Sequence, residues 1–360
     1  VDIAVLSDLH LANSLPYTVA GDISRKEMVK VYLSKFFTKI KDEEVDFLVV
    51  PGDICHSTLL GPDDLDLLMF FIDLVKDSNI KTIISLGNHD LDGDRSILSF
   101  LKSRKKYLIY NNIYYEEDTI WSYYFTNIGF YVINYCPHHI FLKKALEAGQ
   151  AKKGSKYSVL IGHIGVKGTL HGTTKSIIGI KQEDMELLSQ YYDLIILGHH
   201  HQFQWVTKNC LYAGAIQQTR IDEINTVPGG FIVSLPGLEI RHIKNTVSPR
   251  FKIADGYTIM PGSIFNSIVK PIIDTESVSE SENIEFLKEI SAQDPYYLIK
   301  PRLKKTFSIT GGVHEYSADN KRIALLKTMK EFKLKKKKAK GFYEHTINLW
   351  EEVRGGETNA

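Results

Sequence analysis

Five short clusters of metal-binding side-chain types lie along the first 201 of the chain's 360 residues: Ser7-Asp-Leu-His10, Gly52-Asp53, Gly87-Asn-His-Asp90, Gly162-His163 and Gly198-His-His-His201. Singly they carry little weight, because Asp after Gly is ordinary turn chemistry and a lone histidine is usually no ligand. Together they supply seven candidate donors: Asp8, His10, Asp53, Asn88, His163, His199 and His201. A tetrahedral zinc site takes four ligands, so seven donors suit two ions that share a carboxylate. Carboxylate, amide-carbonyl and imidazole donors favour Mn²⁺, with Mg²⁺, Fe and Zn²⁺ as alternatives. Two divalent ions set against two aspartates leave a positive centre. Such a centre attracts a phosphate anion and lowers the pKa of water for in-line displacement.

The elements that must position these donors can be read next to them. Each cluster follows a short apolar run: Ile3–Leu6, Phe47–Val50, Thr82–Leu86, Val159–Ile161 and Leu194–Leu197. Runs this short without alternation predict strands buried on both faces. Helical periodicity over Val29–Ile40 and Leu65–Val75 separates the first three. Strand–helix–strand repetition implies right-handed crossovers and an α/β sheet. Ligands bind at the carboxyl ends of such strands, where all five clusters fall. The aromatic-rich stretch Ile113–Tyr135 predicts strands that extend the same sheet. Residues 203–243 read as further strands joined by turns, among them Leu235-Pro-Gly-Leu238.

Composition limits the function classes. A 43% hydrophobic and 24% charged chain is globular, and its length suggests two domains. Cys55, Cys136 and Cys210 cannot build a disulfide framework, and an odd count suits a reducing compartment, so a cytoplasmic location is expected. The opening VDIAVLSDLH lacks the pattern of a secretory leader, and Leu65–Val75 is too short and too acidic to span a bilayer, so no membrane association is expected. The net charge of +1 conceals a segregation. Residues 302–340 hold 13 Lys/Arg and three acids, which leaves the rest of the chain at −9. A basic segment of this kind is either a solvated helix face or a contact for a polyanion. Texture changes after about Thr246, which places a domain boundary near residue 250. The second unit is expected to mix α and β, with strands near 296–309 and 343–350 and a helix near 318–338. The acidic stretch 274–285 is a linker or the start of a helix.

The five motifs resemble those of the calcineurin-like metallophosphoesterase superfamily. Gly52-Asp-Ile-Cys-His56, Gly87-Asn-His-Asp90, Leu211-Tyr-Ala-Gly-Ala215, Arg220-x-x-Glu223 and Gly229-Gly-Phe231 are most similar to the SbcD-type DNA repair nucleases. The likeness covers residues 1–245, and beyond 250 it is positional only. It implies a sandwich of two mixed β-sheets flanked by helices, 1–250, followed by a smaller α+β capping domain, 251–360. It also implies Asp8, His10, Asp53 and His201 on one metal and Asp53, Asn88, His163 and His199 on the other, with Asp53 bridging. His89 is implied as the general acid with Asp90 orienting its ring, and His56 as a residue that seats the substrate strand. His200, one residue out of phase, is expected to point away.

Protein-phosphatase relatives place an Arg soon after Gly-Asp, and residues 52–62 contain none. A diester substrate, gripped along its backbone, fits better; Arg220, Lys167, Lys175, Lys304 and Lys305 are the candidate phosphate contacts. The resemblance implies a DNA exonuclease with endonuclease activity in a repair and recombination complex. It further implies a homodimer and an SbcC-type SMC-like ATPase partner, in the cytoplasm or, for a viral protein, the host cytoplasm. A small-molecule phosphodiesterase or nucleotide phosphatase of the same superfamily, or a scaffold that has lost its metals, are the alternatives.

Overall fold

The computed structural model describes residues 1–12, 24–93, 95–99, 112–151, 154–255, 267–274, 278–292, 297–298 and 302–304. The chain divides into two compact units, Val1–Ser248 and Pro249–Ala360.

The first unit contains two six-stranded sheets. One runs in the order Glu239–Lys244, Gly229–Ser234, Asp2–Val5, Phe47–Pro51, Lys81–Ser85, Ile113–Tyr114. Its last four strands are parallel, and Gly229–Ser234 joins them antiparallel. The other runs Gln204–Thr207, Cys210–Tyr212, Leu194–Gly198, Tyr157–His163, Ile128–Ile133, Ile120–Tyr124, with a parallel centre and, unlike the first, antiparallel pairing at both edges. All five expected strands are present.

The lack of alternation has a direct cause. Ile3, Val5, Val49 and Ile83 meet Val132, Val159, Ile161 and Ile196 across the space between the sheets. The intervening Ala4, Leu48, Val50 and Ile84 pack outward on helices Ser24–Asp42 and Pro62–Ser78 through Leu33, Phe36, Leu68 and Phe71. On the far side Leu160, Ile195 and Tyr212 are covered by helices His138–Gln150 and Gln182–Leu188 through Phe141, Met185 and Leu188. Each large apolar side chain buried this way contributes roughly 1.5–3 kcal/mol, so the three apolar layers hold both sheets and helices in place. Helix Pro62–Ser78 begins with Pro at its first turn and Asp64 accepting from the Gly61 amide at 3.0 Å, and it stops where Asn79 turns left-handed.

One expectation needs correction. Of the aromatic-rich stretch, only Ile113–Tyr114 extends the first sheet; Ile120–Tyr124 and Ile128–Ile133 form the edge of the second. Periodicity marks a strand but does not say which sheet receives it.

In the second unit Arg250–Ala254, Tyr297–Leu298 and Arg302–Lys304 lie parallel to Ser267–Asp274. Helix Glu280–Ala292 packs Phe286 and Ile290 against Ala254 and Val269. The acidic stretch therefore supplies the start of a helix. The helix expected near 318–338, the strand near 343–350 and Lys305 lie outside the described residues.

Candidate metal centre

The loops that leave the five parallel strands meet at one edge of the sandwich. The loops after Asp2–Val5 and Phe47–Pro51 run side by side: the Asp8 amide donates to Gly52 O at 3.2 Å, His10 to Asp53 O at 3.0 Å and Leu11 to Ile54 O at 2.8 Å. This ladder sets Asp8, His10 and Asp53 together. Among the described residues eight non-glycine residues have left-handed φ, and Asp8 (47°), His10 (43°), Asp53 (51°) and His199 (97°) are four of them. Strained backbone concentrated in this way is held by its surroundings and is typical of functional sites. Gly87 is required here by space, because a Cβ on it would collide with the Asp53 carboxylate.

The donors converge. His10 Nε2 lies 2.9 Å from His201 Nε2, and Asp8 Oδ1 is 3.8 Å from His201 Nε2. On the other side Asn88 Oδ1 is 3.2 Å from His163 Nε2 and 3.1 Å from His199 Nδ1. Asp53 Oδ2 stands between the two groups, 3.3 Å from His163 Nε2 and 3.8 Å from His10 Nε2. Its other oxygen accepts the His89 amide at 2.9 Å. Donors at ~2.1 Å from a shared ion stand about 3–3.5 Å apart, so the spacing fits bound cations.

Tautomers fit as well. His163 Nδ1 donates to Pro51 O at 2.8 Å and His201 Nδ1 donates to Glu223 Oε1 at 2.7 Å, which turns both Nε2 lone pairs inward. Electrostatics agree with this geometry. Burial opposes protonation of His163, but Asp53 outweighs it and lifts the ring to about 9. Burial opposes protonation of His201 too, yet Glu223 and then Asp8 raise it. Asp53 is held far below the carboxylate range by His163 and His10 despite its burial. Burial and His163 push His199 down to about 2, and burial and His201 hold His10 well below the imidazole range. All seven expected donors are thus brought together, and they fit two divalent ions with Asp53 between them.

The neighbouring residues divide differently. His89 Nδ1 donates to His56 O at 2.7 Å, which leaves Nε2 for another partner. Asp90 does not orient this ring, contrary to the expectation. Its carboxylate accepts from the amides of Ile54 at 2.9 Å, Cys55 at 3.1 Å and Gly87 at 2.9 Å. At the third position of a 3₁₀ turn an acidic side chain reaches back to free amides, so sequence adjacency to His89 does not make it a spatial partner. Burial and the nearby Asp53 push Asp90 up to about 7. His56 stacks on His89 at 5.5 Å between centroids. His200 turns into the core, bonded to Thr169 Oγ1 at 2.8 Å and stacked on Tyr212, as its phase requires. Burial holds it neutral down to about 3.

Arg220 is exposed at the mouth of the centre. It donates to His171 Nε2 at 2.8 Å and lies 3.4 Å from both Asp222 and Glu223. Lys167 and Lys175 are exposed on the loop that carries His171. Glu223 is the functional residue the sequence left without a role. It is buried, and besides His201 it accepts from the Thr219 amide at 2.6 Å, Thr219 Oγ1 at 3.0 Å and the Arg220 amide at 3.3 Å. Its motif was visible in Arg220-x-x-Glu223, but the contact with His201 is tertiary.

Fold and site together define a phosphoester-hydrolase architecture, and comparison with known proteins places it. The calcineurin-like phosphoesterase profile matches residues 1–203, and the chain belongs to that family. It is 24% identical over 312 residues to the SbcD subunit of nuclease SbcCD from Staphylococcus saprophyticus, covering 79% of each chain. Among solved structures it is similar to a dimetal phosphatase from Danio rerio (TM-score 0.42, 12% identity, 68% of this chain and 96% of that one). It is also similar to TT1561 of Thermus thermophilus (TM-score 0.41, 10% identity, 68% and 98%). Among the described residues no helix is long and apolar enough to cross a membrane.

Proposed function

We propose that this phosphoesterase is a two-metal DNA nuclease, an exonuclease with endonuclease activity, and the nuclease subunit of an SbcCD-like recombination and repair complex. The observation that carries this reading is the similarity to the SbcCD nuclease subunit, which runs over 312 residues and so extends past the 203 matched by the family profile. The missing Arg after Gly52-Asp53 supports a diester over a terminal phosphate, whose free oxygens favour a bidentate clamp.

In this reading Asp8, His10, His201 and Asp53 hold one ion, and Asp53, Asn88, His163 and His199 the other. Two divalent ions, Mn²⁺ by preference, supply Lewis-acid polarisation of a phosphate oxygen and a lowered water pKa. His89 donates the Nε2 proton to the leaving oxygen while its Nδ1–H stays on the His56 carbonyl, so the ring keeps its aim through the transfer. Asp90 acts through the backbone, tying the two loops that carry Asp53 and Asn88. His56 lines the wall behind His89 and seats the strand. Arg220, Lys167 and Lys175 take backbone phosphates, as do Lys304 and Lys305 from the second unit. A homodimer with an SbcC-type ATPase, working in the cytoplasm, completes the proposal.

The test uses purified protein with end-labelled duplex DNA and with a chromogenic diester, each with Mn²⁺ and with chelator. Mn²⁺-dependent shortening of the labelled strand is expected. Hydrolysis of the small diester with intact DNA would make this a small-molecule phosphodiesterase, and inertness toward both would leave a scaffold.

A further inference from the structure

The two halves of the metal centre are chemically unequal. Beside the shared Asp53, one half has the carboxylate Asp8 and the imidazoles His10 and His201; the other has the neutral amide Asn88 with His163 and His199. The imbalance continues outward. His201 is backed by the buried carboxylate of Glu223, its Nδ1 2.7 Å from Oε1. Among the described residues His163 Nδ1 is backed by a neutral carbonyl alone, Pro51 O at 2.8 Å. His199 presents Nδ1 to the centre, and among the described residues its Nε2 has no hydrogen-bond partner; the Gly165 backbone lies beside it.

A carboxylate behind a ligating imidazole fixes its tautomer and makes the coordinating nitrogen more basic, and such partners commonly change metal affinity about 10–100-fold. Glu223 is itself rigid, because amide and hydroxyl donors from Thr219 and the Arg220 amide hold both its oxygens. The carboxylate therefore holds the His201 ring in one orientation, with Nδ1–H as the donor and Nε2 facing the centre. Resting on the two-metal reading, we infer that Glu223 is a positioning residue that makes the Asp8–His10–His201 position the tighter one. The two ions then load in order, with the Asn88–His163–His199 position filled second.

Calorimetric titration of Mn²⁺ into chelator-stripped full-length protein tests this without reference to turnover. Two separable binding steps are expected for the unaltered chain. Glu223→Ala should weaken the tighter step ~10–100-fold and leave the weaker one within about twofold. Glu223→Gln keeps an acceptor for the Nδ1–H without its charge and should fall between. His199→Ala should weaken only the looser step. A merely structural role for Glu223 would degrade both steps together, so equal losses in Glu223→Gln overturn the inference. Two steps that ignore Glu223→Ala also overturn it and leave the two-metal centre standing. Failure of the unaltered chain to bind any Mn²⁺ overturns both.

Discussion

The floor of the metal cleft and its rim are built in opposite ways. On the floor Asp8, His10, Asp53 and His163 are buried and lie at or just beyond strand ends; Asp8, Asp53 and His163 each bond a backbone group, and His10 turns Nδ1 toward His56 Nδ1 at 3.4 Å. On the rim Arg220, Lys167 and Lys175 are exposed and stand on loops and a short hairpin. Burial makes an unpaired charge costly, so the floor requires a cation and a single geometry. Exposure makes a rim charge cheap and interchangeable. The floor is therefore fixed in geometry, and the rim is free to vary.

The largest effect should come from the one floor residue that serves both halves. Asp53→Asn removes the shared charge, and Mn²⁺ stoichiometry should fall below two with phosphodiesterase activity down at least ~10³-fold, since several kcal/mol of transition-state stabilisation go with the ions. Retention of two ions with near-normal turnover would detach Asp53 from the centre. His89→Ala should bind two ions normally yet lose ~10²–10⁴-fold in kcat on DNA or on a diester with a poor leaving group. Loss of metal instead would make His89 part of the floor and not the proton donor.

A smaller effect separates floor from rim by pH. In the metal-free protein His163 is raised to about 9 and His201 is raised as well. These protons stabilise the empty fold below the usual imidazole pKa, and the contribution is lost as pH rises through about 9. Ion binding must displace them, so Mn²⁺ affinity should rise with pH through neutrality and level off near 9, with proton release visible as a buffer-dependent binding heat. Affinity that is flat between pH 7 and 9 would contradict the floor's electrostatics. The smallest effect belongs to the rim. Lys175→Ala should leave metal binding alone and reduce the salt dependence of DNA binding by about one unit of slope. An unchanged slope removes Lys175 from the phosphate path.

The same division explains what was legible in the sequence. Each floor ligand follows an apolar run buried on both faces, and such a run advertises both the strand and the loop at its end. Asp8, His10, Asp53, Asn88, His163, His199 and His201 were therefore readable as candidate donors once the five clusters were taken together. Asp90 was readable as part of the site but not in its role, because a 3₁₀ turn sends its carboxylate back to the amides of Gly87, Ile54 and Cys55. Glu223 and the Arg220–His171 contact depend on loops that meet only in three dimensions, across 22 and 49 residues. The split of Ile113–Tyr135 between two sheets was hidden for a similar reason. Strand periodicity reports burial, and both sheets contain fully buried strands.

The most direct test is an anomalous-scattering map from crystals of the full chain soaked in Mn²⁺. Two peaks about 3.5–4 Å apart are predicted, with Asp53 between them, Asp8, His10 and His201 around one, and Asn88, His163 and His199 around the other. A single peak, or two peaks that do not share Asp53, would contradict the account.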